Sequence, residues 1–143
     1  MKIKRFFIIV LLGTLISHFL PGQSGMKKTD IQAKIDRLLS KLENTPEGLA
    51  RVRILGDLTR AFARIDHDKA LHYGYRGLDL CKKLKDKKEL AEIYNLLGMV
   101  YAWKGNYKKS LENFQLSFDL KKQLDDKKGL AGLYNNMAII YKD

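Results

Sequence analysis

Apolar residues return at three- and four-residue intervals along most of the chain, the spacing that lines one face of an α-helix. From Leu90 the run is Leu90, Ile93, Tyr94, Leu97, Val100 and Tyr101. Lys104 and Gly105 then stop it, glycine being the residue that turns left-handed without steric cost. Asn106 is placed to cap a second helix with the apolar face Tyr107, Leu111, Phe114 and Phe118, continuing to Leu124. Upstream, Thr45-Pro46 predicts an N-cap followed by proline in the first turn. Asp66 or Asp68 is placed to cap that helix's partner, which runs from Lys69 to about Leu84. Asp30 can cap a further helix carrying Ile31, Ile35, Leu38, Leu39 and Leu42. No segment alternates with period two, so the predicted fold class is all-α.

The pattern repeats. Asp86-Lys87-Lys88-Glu89-Leu90-Ala91 returns forty residues later as Asp126-Lys127-Lys128-Gly129-Leu130-Ala131. Tyr94-Asn95 meets Tyr134-Asn135, and Val100-Tyr101 meets Ile140-Tyr141. Forty residues earlier the match is weaker: Ser110-Leu111 falls on Ala70-Leu71, Leu120 on Leu80 and Leu124 on Leu84. Self-similarity of this kind marks stacked supersecondary units, each burying the apolar face of its neighbour.

The unit at 86–125 has Tyr94, then Leu97-Gly98, then Tyr101 on its first helix, with Gly105 and Tyr107 at the turn. Ser110, Phe114 and Ser117 give small, aromatic, small on the second. In this it resembles the tetratricopeptide repeat family, in a form longer than the usual 34-residue unit. The third unit keeps Tyr134, Met137-Ala138 and Tyr141. The first departs, with Leu58 for Gly98, Ala61 for Tyr101 and Gly74 for Phe114. The resemblance implies a right-handed solenoid of helical hairpins. Its expected organisation is an N-terminal capping helix at 25–44, a degenerate repeat at 45–85, a second repeat at 86–125, and the first helix of a third at 126–143. Repeats with a Lys-Asp-Lys-Lys link are similar to those at the front of exported or membrane-spanning bacterial sensor proteins.

The first residues do not fit the repeat. Lys2, Lys4 and Arg5 precede an apolar run from Phe6 to Leu20, and Pro21, Gly22, Gln23, Ser24 and Gly25 follow. Basic, apolar, small is the layout of a signal peptide, expected at 1–24. Fifteen residues is short of the roughly 20 that a bilayer-crossing helix needs, so the expectation is export, to the periplasm or beyond, with an uncleaved anchor as the alternative. No cysteine follows the apolar run, which excludes a lipoprotein-type N-terminus. Cys81 is the sole cysteine of the 143 residues, so no intramolecular disulfide can form and packing must hold the fold.

The formal charge is +11. Much of the excess falls in Lys82-Lys83-Lys85-Lys87-Lys88 and Lys121-Lys122-Lys127-Lys128, where cations complement helix C-termini. No nucleic-acid partner is expected. His67 and His72 lie five apart with no ligand set beside them, so no metal, cofactor or catalytic group is expected. Nothing in the chain supports an enzyme.

The resemblance implies a concave groove lined by the first helix of each repeat, a surface for protein or peptide ligands. By that geometry its lining is Leu55, Thr59, Phe62, Asn95, Met99, Ala102, Trp103, Asn135 and Ile139. The amides suit a peptide backbone, and Met99 and Trp103 suit apolar anchors. The last helix is expected to present Leu133, Tyr134, Met137 and Ile140 uncovered, which predicts further chain or self-association. Two roles follow: an exported binding scaffold, or the sensory and dimerising front of a signal-transduction protein such as a histidine kinase. Membrane contact is expected only through an uncleaved leader or a downstream anchor.

Overall fold

Short polar side chains set where the helices begin. Asp66, Asp86 and Asn106 each accept a hydrogen bond from the backbone N–H three residues on, at 3.0, 2.8 and 3.1 Å. Each satisfies a donor that the first helical turn otherwise orphans. Asp126 does the same for Gly129 at 2.8 Å. The structure, a computed structural model, describes residues 28–138 and 140; the expected leader at 1–24 lies outside them. Among these residues six helices follow in order: α1 Lys28–Asn44, α2 Leu49–Phe62, α3 His67–Leu84, α4 Lys87–Trp103, α5 Tyr107–Gln123 and α6 Lys127–Ala138. Among the described residues there is no strand.

Two predicted caps are corrected: Asp30 lies within the first turn of α1, which already includes Lys28, and Thr45 does not cap α2. α2 starts behind Gly48 without a side-chain cap. The Thr45 hydroxyl instead donates to the Lys41 carbonyl at 2.6 Å, so Thr45 closes α1 and Pro46 sits in the link. The links between hairpins are alike. Lys85 and Asp125 both turn left-handed, at φ 54° and 50°, and bring the N–H of Asp86 and Asp126 back to the carbonyls of Cys81 and Lys121.

Each helix packs on the next, and α2 also meets α4 across the hairpins. The result is a helical-hairpin solenoid with one continuous core, from Ile31 and Ile35 of α1 through Leu55 and Leu58 to Leu97 and Val100. Small residues set the closest approach. A Cβ at Gly98 would fall 2.6 Å from the Phe114 ring. On either side of that contact Ser110 donates to the Gly98 carbonyl at 2.7 Å, and Ser117 to the Ala91 carbonyl at 2.8 Å. α5 is thereby drawn onto the backbone of α4. In the first hairpin the small positions are Ala70 and Gly77. Above Gly74, the space that Phe114 fills in the second hairpin is taken by Leu97 of α4, with Thr59 beside it.

The two junctions between hairpins are filled differently. Cys81 is fully buried, and burial, with the nearby Glu89 and Asp86 carboxylates, pushes its thiol up to about 12. Its counterpart forty residues on is Lys121, whose side chain is 2% exposed and whose ammonium meets Glu92 and, at 3.6 Å, Asp126. The ammonium sits over Gly129, where the previous junction has Glu89. Leu133, expected on an open face of α6, is buried at 1% exposure; Tyr134 stays 57% exposed, meeting Phe118 edge to face at 6.0 Å.

Candidate functional site

The first helices of the hairpins, α2, α4 and α6, keep one face that α3 and α5 do not cover. On α4 this face is Glu92, Asn95, Leu96, Met99 and Trp103, a single stripe at helical spacing. Leu96 is buried, Met99 half-buried, and Trp103 42% exposed. The facing stripe on α2 is Arg53, Gly56, Asp57 and Arg60, with Arg64 following in the turn beyond the helix. A cleft of about 120 Å³ runs between the two helices, with Gly56, Leu96 and Ile93 at its base and Arg53, Asp57, Arg60, Glu89 and Glu92 around it. Gly56 opens it: nothing larger than hydrogen stands between the α2 backbone and the side chains of Ile93 and Leu96, each 3.5 Å from where a Cβ would be.

Charges on the rim are paired. Arg53 meets Glu89 across the helices at 2.7 Å, and Arg60 meets Asp57 within α2 at 2.8 Å. The Glu89 carboxylate holds the Arg53 guanidinium above its ordinary value. α6 joins through an amide pair, Asn136 Nδ2 donating to Asn95 Oδ1 at 3.0 Å. One such bond uses a fraction of what two amides can give and take, so this step of the groove keeps hydrogen-bonding capacity.

Of the residues expected to line the groove, Asn95, Met99, Ala102 and Trp103 lie on α4 with at least part of their surface open, and Asn135 is exposed on α6. Ile139 lies outside the described residues. Leu55, Thr59 and Phe62 are corrected: they are core residues at 2%, 0% and 6% exposure. Leu55 lies against Gly77 and Thr59 against Gly74, the Thr59 hydroxyl donates to the Leu55 carbonyl at 2.8 Å, and Phe62 stacks on Tyr73 at 5.3 Å.

The physical reason is one residue in a turn. In the second hairpin the N–H of Asn106 returns to the Tyr101 carbonyl, around Gly105 at φ 76°. In the first, the N–H of Asp66 returns to Phe62, one residue sooner and with no left-handed glycine. The α2 sequence is therefore displaced by one position against a strict forty-residue register. Phe62, not Ala61, takes the place of Tyr101, and the positions facing α4 pass to Gly56 and Arg60, with Arg64 following in the turn. Counting back from the capping Asp66 across a turn that lacks glycine would have found them.

A family model described as the SusR N-terminal TPR domain matches residues 27–143. The chain belongs to the tetratricopeptide repeat family. No curated protein matches it. Tetratricopeptide domains are protein-interaction scaffolds, typically without catalysis, and the stacked hairpins and uncovered first-helix face of this domain have that form. No helix among the described residues is long and apolar enough to cross a membrane.

Proposed function

We propose that the chain is an exported scaffold that binds an extended segment of a protein in the groove along α2, α4 and α6. One observation carries the reading: the first-helix face is left open by α3 and α5. It offers a half-buried amide pair, Asn95–Asn136, beside the apolar Met99 and exposed Trp103. Amides suit a peptide backbone, and a large aromatic with an open face suits an anchor. Export rests on the basic, apolar, small layout of residues 1–24.

The test is selection of displayed random peptides on the full chain, with Trp103→Ala and Asn95→Ala in parallel. Trp103 is partly solvent-exposed and Asn95 half-buried, so circular dichroism should show both variants folded. The expected result is a family of enriched peptides whose affinity falls about tenfold or more in each variant. Enrichment indifferent to both substitutions would place binding elsewhere.

A second reading is favoured by the matched family model being described as an N-terminal domain: the repeats as the sensory front of a signal-transduction protein. Coding sequence beyond Asp143 tests it. An apolar span of about 20 residues followed by a kinase-like or DNA-binding region supports that role, and a stop codon there removes it.

A further inference from the structure

The groove is not uniform along its length. Its α4 wall carries Met99 and Trp103, and its α6 wall carries asparagines. The α2 wall carries Arg60, with Arg64 in the turn just past it, and behind them lies a second recess of about 90 Å³, where Lys34 of α1 joins Arg60 and Arg64 around a floor of Ile31 and Ala61. Ile31 and Ala61 are buried, and all three cations are exposed. Arg60 borders both this recess and the cleft between α2 and α4.

Three cations around so small a depression repel one another, and the protein answers little of that charge. Arg60 has the exposed Asp57, a pair of the kind that contributes little. Among the described residues neither Lys34 nor Arg64 has a carboxylate within 4.0 Å. The helix dipole accounts for cations at the end of α2. It does not account for Lys34, which stands well inside α1 and still converges on the same recess.

We propose that this recess reads an acidic residue of the bound protein segment, while Met99 and Trp103 hold an apolar one; this rests on the groove reading above. The recess is concave, set between two helices and floored by aliphatic groups. That shape suits a single carboxylate side chain. The spacing follows from the fold. Packed helices lie roughly 8–10 Å apart, and an extended chain advances about 3.3 Å per residue. The recess lies on the far side of α2 from α4, about one and a half such spacings away, so the acidic residue falls about four positions from the apolar anchor.

The peptide selection reads this directly. The full chain should enrich peptides with Asp or Glu about four positions from an aromatic or aliphatic residue. A Lys34→Glu, Arg64→Glu variant, both sites being exposed, should lose that acidic preference or turn it to Lys and Arg, while keeping the apolar one. Synthetic enriched peptides with the acid replaced by Gln should bind about tenfold more weakly to the native chain, a gap that closes in 0.5 M salt. Peptides enriched for the apolar anchor but indifferent to acid would overturn the inference and leave the groove reading standing. Absence of any Trp103-dependent enrichment would sink the groove reading itself. A third outcome would assign the cations to a lipid surface: binding to phosphatidylglycerol vesicles that Lys34→Glu, Arg64→Glu abolishes, with no acidic peptide recovered.

Discussion

Gly98→Ala isolates the closest helix contact of the second hairpin. The added methyl would lie 2.6 Å from two ring atoms of Phe114, itself fully buried, so either the ring or α5 must move. Overpacking of this sort costs about 1–3 kcal/mol, and stretching the Ser110 to Gly98 hydrogen bond removes about 1 kcal/mol more. Against this, alanine in place of a helical glycine returns about 1 kcal/mol. The expected net loss is about 1–3 kcal/mol, or roughly 4–12 °C in Tm at about 4 °C per kcal/mol. Urea and thermal unfolding followed by circular dichroism measure it. Gly132→Ala on α6 is the control: nothing lies within 4 Å of the new methyl, so it should stabilise by up to about 1 kcal/mol. Shortening the ring should relieve the clash. Gly98→Ala with Phe114→Leu should show a favourable coupling of about 1 kcal/mol against the two single changes. If Gly98→Ala proves as stable as Gly132→Ala, the argument that glycine is there for helix approach fails.

Lys121→Ala should cost about 2–3 kcal/mol through lost packing of the buried stem and the stranded Glu92 and Asp126 carboxylates, less than a fully buried pair because both acids are partly solvated. Lys121→Met should cost about 1 kcal/mol or less, and equal losses for the two would contradict a role for the stem in unfolding titrations. Cys81, with its thiol raised to about 12, should resist a disulfide reagent at pH 8 in the folded chain and react only as fast as the chain opens; immediate labelling would contradict its burial. Backbone N–H bonds from Lys69 and Gly129 hold the Asp66 and Asp126 carboxyls below their ordinary values. Lowered carboxyl values stabilise the fold above the unfolded value near 4, so Tm should fall with pH below about 4, more shallowly in Asp66→Asn, Asp126→Asn.

The elements of this fold stand out in the sequence because local chemistry governs them. Asp66, Asp86 and Asn106 cap helices by their own side chains, and the three-four apolar spacing needs no distant partner to be read. The open face of α4 was legible for the same reason, since Tyr94, Leu97, Gly98 and Tyr101 fix the facing of that helix. The open face of α2 was not. Its facing depends on whether a turn has four residues or five, and only the closure of Asp66 onto Phe62 reveals that. Thr45 misled similarly, because a threonine before a proline reads as a helix start, while here its hydroxyl is engaged by the helix already ending. Leu133 could not be placed without knowing how far α5 reaches over α6.

The unlike fillings of the two hairpin junctions give this array a fixed order. Lys121 can lie over the next helix only because Gly129 leaves room; a Cβ there would stand 2.7 Å from its ammonium. Were α4 copied into the place of α6, Glu89 would bring a side chain into that space. Were α3 set against α6 in place of α5, Cys81 would leave the room beside Gly129 unfilled and Asp126 without its cation. A gene duplication that simply lengthened the array would therefore create a mismatched seam and need a second change to mend it. Within this domain the repeats are relatives, not interchangeable parts.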